Sequence, residues 1–136
     1  MKISRKADYA LSAVAHMAAH PMDRRHTINQ IAEAGNLPRD FLAKILKELT
    51  RAQIIRAFQG VQGGYQLAKT PNKINVLEVI EAMDGPVALN LCVRGMHGPN
   101  CGPSKSCTIY PFFAKAQTQF VGLMKGQTFD KFRRGK

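Results

Sequence analysis

The chain has 136 residues, 45% of them hydrophobic and 21% charged; that is the size and make-up of about one globular domain and excludes a disordered chain. Twenty Lys and Arg against nine Asp and Glu give a net charge of +11, which points to a polyanionic partner, nucleic acid or an acidic membrane surface. No run of about 18 apolar residues occurs, so no transmembrane helix is expected, and no repeat or low-complexity tract is visible.

In chain order, a first helix is expected from about Ser4 to His20, with Ser4 as N-cap and Ala10, Ala13, Val14, Met17 and Ala18 on one face. Pro21 ends it. Asp8, His16 and His20 interrupt its apolar part and no small-residue cleavage site comes after it, so it reads as a mature helix and not a signal peptide, and a cytoplasmic location is expected. Thr27 with Gln30 is a capping box that opens a short second helix, its inward positions Ile28, Ile31 and Ala32 and its stop Gly35. Pro38 sits where a third helix begins, and Phe41, Leu42, Ile45, Leu46 and Leu49 repeat at helical spacing to about Ala52.

A short helix, a tight Gly-containing turn and a longer helix make a helix-turn-helix. The longer helix carries Arg39, Lys44, Lys47 and Arg51 away from its apolar stripe, which suits a recognition helix in a DNA major groove; the competing reading is an ordinary solvated basic helix. The next segment of the chain favours the groove. Gln53 to Phe58 and Tyr65 to Ala68 read as strands around the Gly60–Gly64 turn, and a hairpin after a helix-turn-helix is a winged helix. The expected fold is therefore mainly α with a small β-hairpin wing, a winged helix-turn-helix followed by a long C-terminal helix.

Pro71 to Ile74 is read as a loop, and Asn75 with Glu78 as a second capping box opening a helix to about Asp84. Gly95, Gly98, Pro99, Gly102 and Pro103 then mark a loop. The last long helix is expected from near Thr108 to about Lys125, with Pro111 in its first turn. Phe112, Phe113, Ala116, Phe120, Val121, Leu123 and Met124 cover more than one stripe, which calls for more than one packing surface, its own domain and a partner copy. A break comes next, with one further turn capped by Thr128. The parts divide as 1–70 for DNA binding, 71–107 for a linking helix and the loop, and 108–136 for dimerisation and a basic tail.

All three cysteines, Cys92, Cys101 and Cys107, fall within sixteen residues of that loop. Clustered cysteines in a cytosolic protein read as metal or redox chemistry. The spacing leaves an iron–sulfur cluster, zinc and thiol redox sensing open, and three thiolates leave one tetrahedral position unfilled. His97 and Asp8 are candidates for the odd ligand; their plain alternatives are an exposed loop histidine and an acid placed well at a helix N-terminus. His16 and His20, four apart on one helix, could hold a metal but lack a third ligand nearby in sequence. Nothing in the chain assembles a nucleophilic triad, a phosphate-cradling loop or a metalloprotease pair, so neither an enzyme nor a small-molecule substrate is expected.

Asp8-Tyr-Ala-Leu11, the run from Leu37 to Leu46, Gly63-Gly-Tyr-Gln-Leu-Ala68, the three-cysteine loop with the helix behind it, and Thr128-Phe-Asp130 occur in an order that resembles the Rrf-type winged-helix regulators, the group with the IscR, NsrR and RirA repressors. The resemblance spans nearly the whole chain. It implies a homodimer paired through the C-terminal helix on a palindromic double-stranded DNA operator. It also implies an iron–sulfur cluster (4Fe–4S or 2Fe–2S) on Cys92, Cys101 and Cys107, with an Asp matching Asp8 from the other subunit completing the shell. A repressor that senses redox, nitric oxide or iron status is the implied function. Two positions depart from the pattern: Tyr110 stands where IscR-type members have a ligand His, which disfavours that ligation, and Gln59 stands where many members have an Arg before the first wing glycine. On this reading Arg39 and Lys44 make groove-side contacts, Lys47, Arg51, Lys2, Arg5 and Lys6 lie nearer phosphates, and Gln59 and Gln62 place the wing. The alternatives are a cluster-free relative acting through a protein partner or thiol oxidation, and a small redox or electron-carrier protein, which would bind no operator.

Overall fold

The computed structural model describes residues 2–89 and 108–132. Helix α1, Arg5–Ala18, starts where the Ser4 Oγ accepts the Ala7 N–H at 3.0 Å. Ser4 is itself held from the far side of the chain: its N–H and its hydroxyl donate to the two carboxylate oxygens of Asp84 at 3.1 and 2.5 Å. Ala7, Ala10, Ala13, Val14, Met17 and Ala18 are buried. The helix stops two residues short of the expected His20. The His16 carbonyl is taken there by the Ala19 N–H and by the His20 ring, and the His20 N–H turns back to Met17, so the last turn tightens.

The capping box at Thr27 forms with both of its hydrogen bonds and opens α2, Ile28–Gly35. Ile31 is fully buried, while Ile28 and Ala32 are half-buried. The stop is one residue later than expected: Gly35 is still helical and Asn36 takes the left-handed cap, φ 53°, a conformation its short polar side chain tolerates. Gly35 answers a different need, since a Cβ there would lie 2.8 Å from the Ser12 Oγ of α1. Pro38 is the N-cap of α3, Arg39–Arg51, one position earlier than anticipated. Leu42, Ile45, Leu46 and Leu49 are buried.

Helix α3 ends in a Schellman turn. Gln53 is left-handed at φ 63°, its N–H bonds the Thr50 carbonyl at 3.0 Å, and the Ile54 N–H reaches Leu49 at 3.0 Å. That turn consumes the start of the expected first strand, leaving β1 as Ile55–Phe58. It pairs antiparallel with β2, Gly64–Leu67, with Ile55 opposite Leu67 and Phe58 opposite Gly64. The outer edge of β2 is paired as well: the His26 N–H bonds the Tyr65 carbonyl at 2.9 Å and the Tyr65 N–H bonds the His26 carbonyl at 2.8 Å.

After a 3₁₀ turn at Pro71–Lys73, where a loop was expected, the second capping box opens α4, Val76–Asp84. Helix α5, Tyr110–Gly126, has Pro111 in its first turn. A closing 3₁₀ turn, Phe129–Phe132, returns to the start of α4 through the Asn75–Thr128 bridge. The larger core gathers the inner faces of α1, α2, α3 and α4 with the wing residues Ile55 and Leu67, and Phe129 is buried in it. A smaller cluster of Leu77, Ile80, Val87 and Met124 seats α5 on α4. The Gln117 amide fastens the chain beyond α4, accepting from the Leu89 N–H at 2.9 Å and donating to the Val87 carbonyl at 2.7 Å. The wide apolar circumference of α5 is only partly used within one chain: Ile109, just before it, is 57% exposed, and Phe112 and Leu123 on it are 66% and 72% exposed.

Gly64 sits at φ 129°, and a Cβ there would lie 2.8 Å from the His26 carbonyl oxygen. Gly64→Ala is expected to lower stability by about 1–3 kcal/mol, read as a fall in the urea unfolding midpoint.

Candidate nucleic-acid interface

Burying one stripe of α3 decides what its other side presents. At about 100° per residue, Lys44, Lys47 and Arg51 fall within roughly 60° of one another, opposite the buried leucines and isoleucine. All three are exposed, as are Arg39, Asp40 and Ala43. Arg39 is braced against α2, its Nε donating to the Asn29 Oδ1 at 2.7 Å, which ties the start of α3 to the helix before it. Lys6 reaches across from α1 to Glu48 at 2.7 Å. Lys6 thus stands beside α3 with its charge partly engaged, whereas Lys2 and Arg5 are exposed at the start of α1.

The wing loop holds Gln59 and Gln62, both exposed, and its tip residue Val61 is completely open to solvent. Sequence reasoning missed the residue that holds this loop. The Arg25 guanidinium lies 3.9 Å over the Phe58 ring and donates to the Gln62 carbonyl at 2.5 Å. A guanidinium therefore does reach the wing, though not from the position before its first glycine. No local signal marks Arg25, because its contacts are 33 and 37 residues away in the chain. The Lys44, Lys47 and Arg51 strip of α3 is a cationic helix face, and Arg25 braces the hairpin wing, a helix and hairpin pair suited to groove and phosphate contact.

The metal candidates divide differently. Asp8 is exposed in the first turn of α1, beside Lys2, Ile3, Ser4 and Arg5 around a shallow depression. Cys92, Cys101 and Cys107 lie outside the described residues, as does His97. The structure corrects one reading: His16 and His20 do have a third imidazole beside them, that of His26. His26 is buried, with His16, His20 and Arg24 as its titratable and charged neighbours. Burial first, then those positive or protonatable groups, hold its pKa down at about 4. Burial likewise lowers that of His16, with help from His20 and Arg24. Among the described residues, no helix is long and apolar enough to cross a membrane.

Comparison with known proteins agrees with this geometry. A protein-family model described as Rrf2, iron-dependent transcriptional regulator, matches residues 3–134. A protein of Rhodobacter capsulatus named as an rrf2-like HTH-type transcriptional regulator is 30% identical over 134 residues, covering 94% of this chain and 89% of its own. One of Aquifex aeolicus, named as an HTH-type transcriptional regulator, is 30% identical over 120 residues, 88% of this chain and 83% of its own. Among solved structures, CymR, the global cysteine regulator of B. subtilis, superposes with a TM-score of 0.80 at 20% identity, covering 97% of this chain and 95% of that one. IscR of T. potens superposes with a TM-score of 0.72 at 22% identity, covering 97% and 85%. These two likenesses concern the fold.

The His26 environment sets a pH dependence. With the folded pKa below the unfolded value of about 6.5, acid protonates the unfolded chain first, so stability is full above about pH 6.5 and falls as pH drops toward about 4. Urea unfolding at a series of pH values, with a chelator present to keep the imidazoles metal-free, should show this fall. His26→Gln, less stable at neutral pH, should flatten it.

Proposed function

The chain belongs to the Rrf2 family of iron-dependent transcriptional regulators, and we propose that it acts as a homodimeric repressor that senses redox, nitric oxide or iron status through an iron–sulfur cluster. Members of this family are DNA-binding transcriptional regulators and not enzymes. The observation that carries the operator half of the reading is the exposed Lys44, Lys47 and Arg51 face of α3 beside a wing braced by Arg25. Arg39 and Lys44 read base edges in the major groove, while Lys47, Arg51, Lys2, Arg5 and Lys6 neutralise phosphates. Gln59 and Gln62 set the wing against the duplex. The exposed Phe112 and Leu123 of α5 offer an apolar face for a second copy, and a two-fold dimer reads a palindromic operator through its paired α3 helices. The working parts are then 1–70 on DNA, 71–107 for the link and cysteines, and 108–136 for pairing.

The donor set fits a cluster. Cys92, Cys101 and Cys107 supply three soft thiolates within sixteen residues, and Asp8 of the partner subunit supplies a carboxylate from an exposed position. Bound there, the cluster contributes iron open to attack by oxygen or nitric oxide. The carboxylate that Asp8 offers belongs to α1, and α1 carries the Lys6 that grips Glu48 of α3. Holding or releasing Asp8 therefore bears on the helix that positions the recognition helix, which is how a ligand state can favour one arrangement over another.

Two measurements test this. Protein purified without oxygen should be coloured and contain iron and sulfide, and Cys107→Ala should lose both; a colourless wild type without iron would leave the cluster-free alternative. Duplexes selected from a random pool should bind with an affinity that falls steeply between about 50 and 200 mM salt. Lys47→Ala should reduce that salt slope by about 1, and Arg39→Ala or Lys44→Ala should cost about 1–3 kcal/mol and relax preference at one base position. Salt-independent binding would sink the operator reading.

A further inference from the structure

Three imidazoles meet where α1 ends and the wing begins. His16 and His20 lie one turn apart at the end of α1, and His26 comes from the connection between α1 and α2. Their ring centroids are 4.7, 5.0 and 5.2 Å apart, a nearly equilateral triangle. One ligating nitrogen of each ring lies within 4.8 Å of the other two. On two of the rings one nitrogen lacks a partner: His16 Nε2 and His26 Nδ1 are buried without a hydrogen bond, a costly arrangement for a purely structural histidine. The third ring is oriented for the same purpose. His20 Nδ1 lies 2.8 Å from the His16 carbonyl oxygen, so Nδ1 carries the proton and Nε2 keeps its lone pair, the arrangement that commonly orients metal-binding histidines.

We propose that His16, His20 and His26 form a binding site for a divalent transition-metal ion, with zinc the best match, and that a water molecule or an external ligand fills the fourth position. Three neutral imidazoles with an open fourth position suit zinc. Zinc–nitrogen bonds of about 2.0–2.1 Å place ligand nitrogens roughly 3.4 Å apart, so nitrogens that lie within 4.8 Å of one another have only a short distance to close. Burial keeps His16 and His26 in the neutral form that ligates metal. Among the described residues, Arg24 is the cation outside the triad that acts on His16 and His26, and it is exposed to solvent, which screens its charge.

The site has a structural consequence. His26 pairs through both its backbone groups with Tyr65 of β2. An ion joining the His26 ring to α1 therefore fastens the base of the wing to the helix at the centre of the fold. The site uses no cysteine and does not rest on the cluster reading.

The test is a cobalt titration of the full chain carrying Cys92→Ser, Cys101→Ser and Cys107→Ser, which removes competing thiolates. One cobalt per chain is expected, with visible bands of a tetrahedral nitrogen set, no thiolate charge-transfer band, and displacement by zinc. Zinc should also raise the thermal unfolding midpoint of this chain and slow amide exchange at Tyr65. Adding His26→Gln or His20→Gln should weaken cobalt binding by more than about tenfold and abolish the zinc-dependent rise. His20 is half-buried and outside the core, so its variant keeps the test decisive if His26→Gln does not fold. Absence of cobalt uptake by the cysteine-free chain, or uptake unchanged in His20→Gln, overturns the proposal.

Discussion

Helix α1 holds five other parts of the chain at once, and most of its inward positions are small. Ala7, Ala10, Ala13 and Val14 are fully buried, with Met17 and Ala18 nearly so, and α2, α3, α4, β2 and the closing turn at Phe129 all pack on this helix. Short side chains let backbones approach closely, as they do where Gly35 of α2 meets Ser12. The start of α1 is pinned by Asp84 at the far end of α4. These contacts dictate the placement of α3. Once Leu42, Ile45, Leu46 and Leu49 are committed to this core, the cationic side has only solvent to face, and Lys6 and Glu48 meet at the rim. The exposed cationic strip of α3 is the complement of a packing decision.

A hairpin of two four-residue strands is marginal by itself in water. Here one short connection, between α1 and α2, stabilises it from two directions. His26 pairs with the free edge of β2, and Arg25 covers Phe58 and reaches the Gln62 carbonyl. Adjacent residues in that connection thus set the base and the tip of the wing. Because His26 also lies against His16 and His20, the wing, the connection and the end of α1 form one mechanical unit. A change in the imidazole cluster bears on the wing through one pair of backbone hydrogen bonds.

The basic charge is spread along the chain: eleven Lys or Arg stand against five acids up to Thr70, and nine against four from Pro71 onward. Net charge therefore does not locate the interface. What the fold adds is that Lys44, Lys47 and Arg51 come together on one exposed strip of α3. The exposed Phe112 and Leu123 of α5 mark the opposite kind of surface, apolar and solvent-facing.

Local chemistry was legible in the sequence by itself. Ser4, Thr27 and Asn75 announced three helix starts because an N-cap is satisfied within three residues, the apolar periodicities named nearly all of the core, and the order of helix, helix and hairpin placed the winged helix. The sequence likewise marked the cationic side of α3 and the clustering of the three cysteines. Where a boundary slipped, as at Asn36 and Gln53, a non-glycine residue accepted a left-handed turn that composition does not advertise. Only the tertiary structure brought Arg25 to the wing, Asp84 to Ser4, and His26 to His16 and His20 at the end of α1. Those contacts join residues that the periodicity of no single helix or strand relates, and they form because the core, once packed, leaves those side chains facing each other.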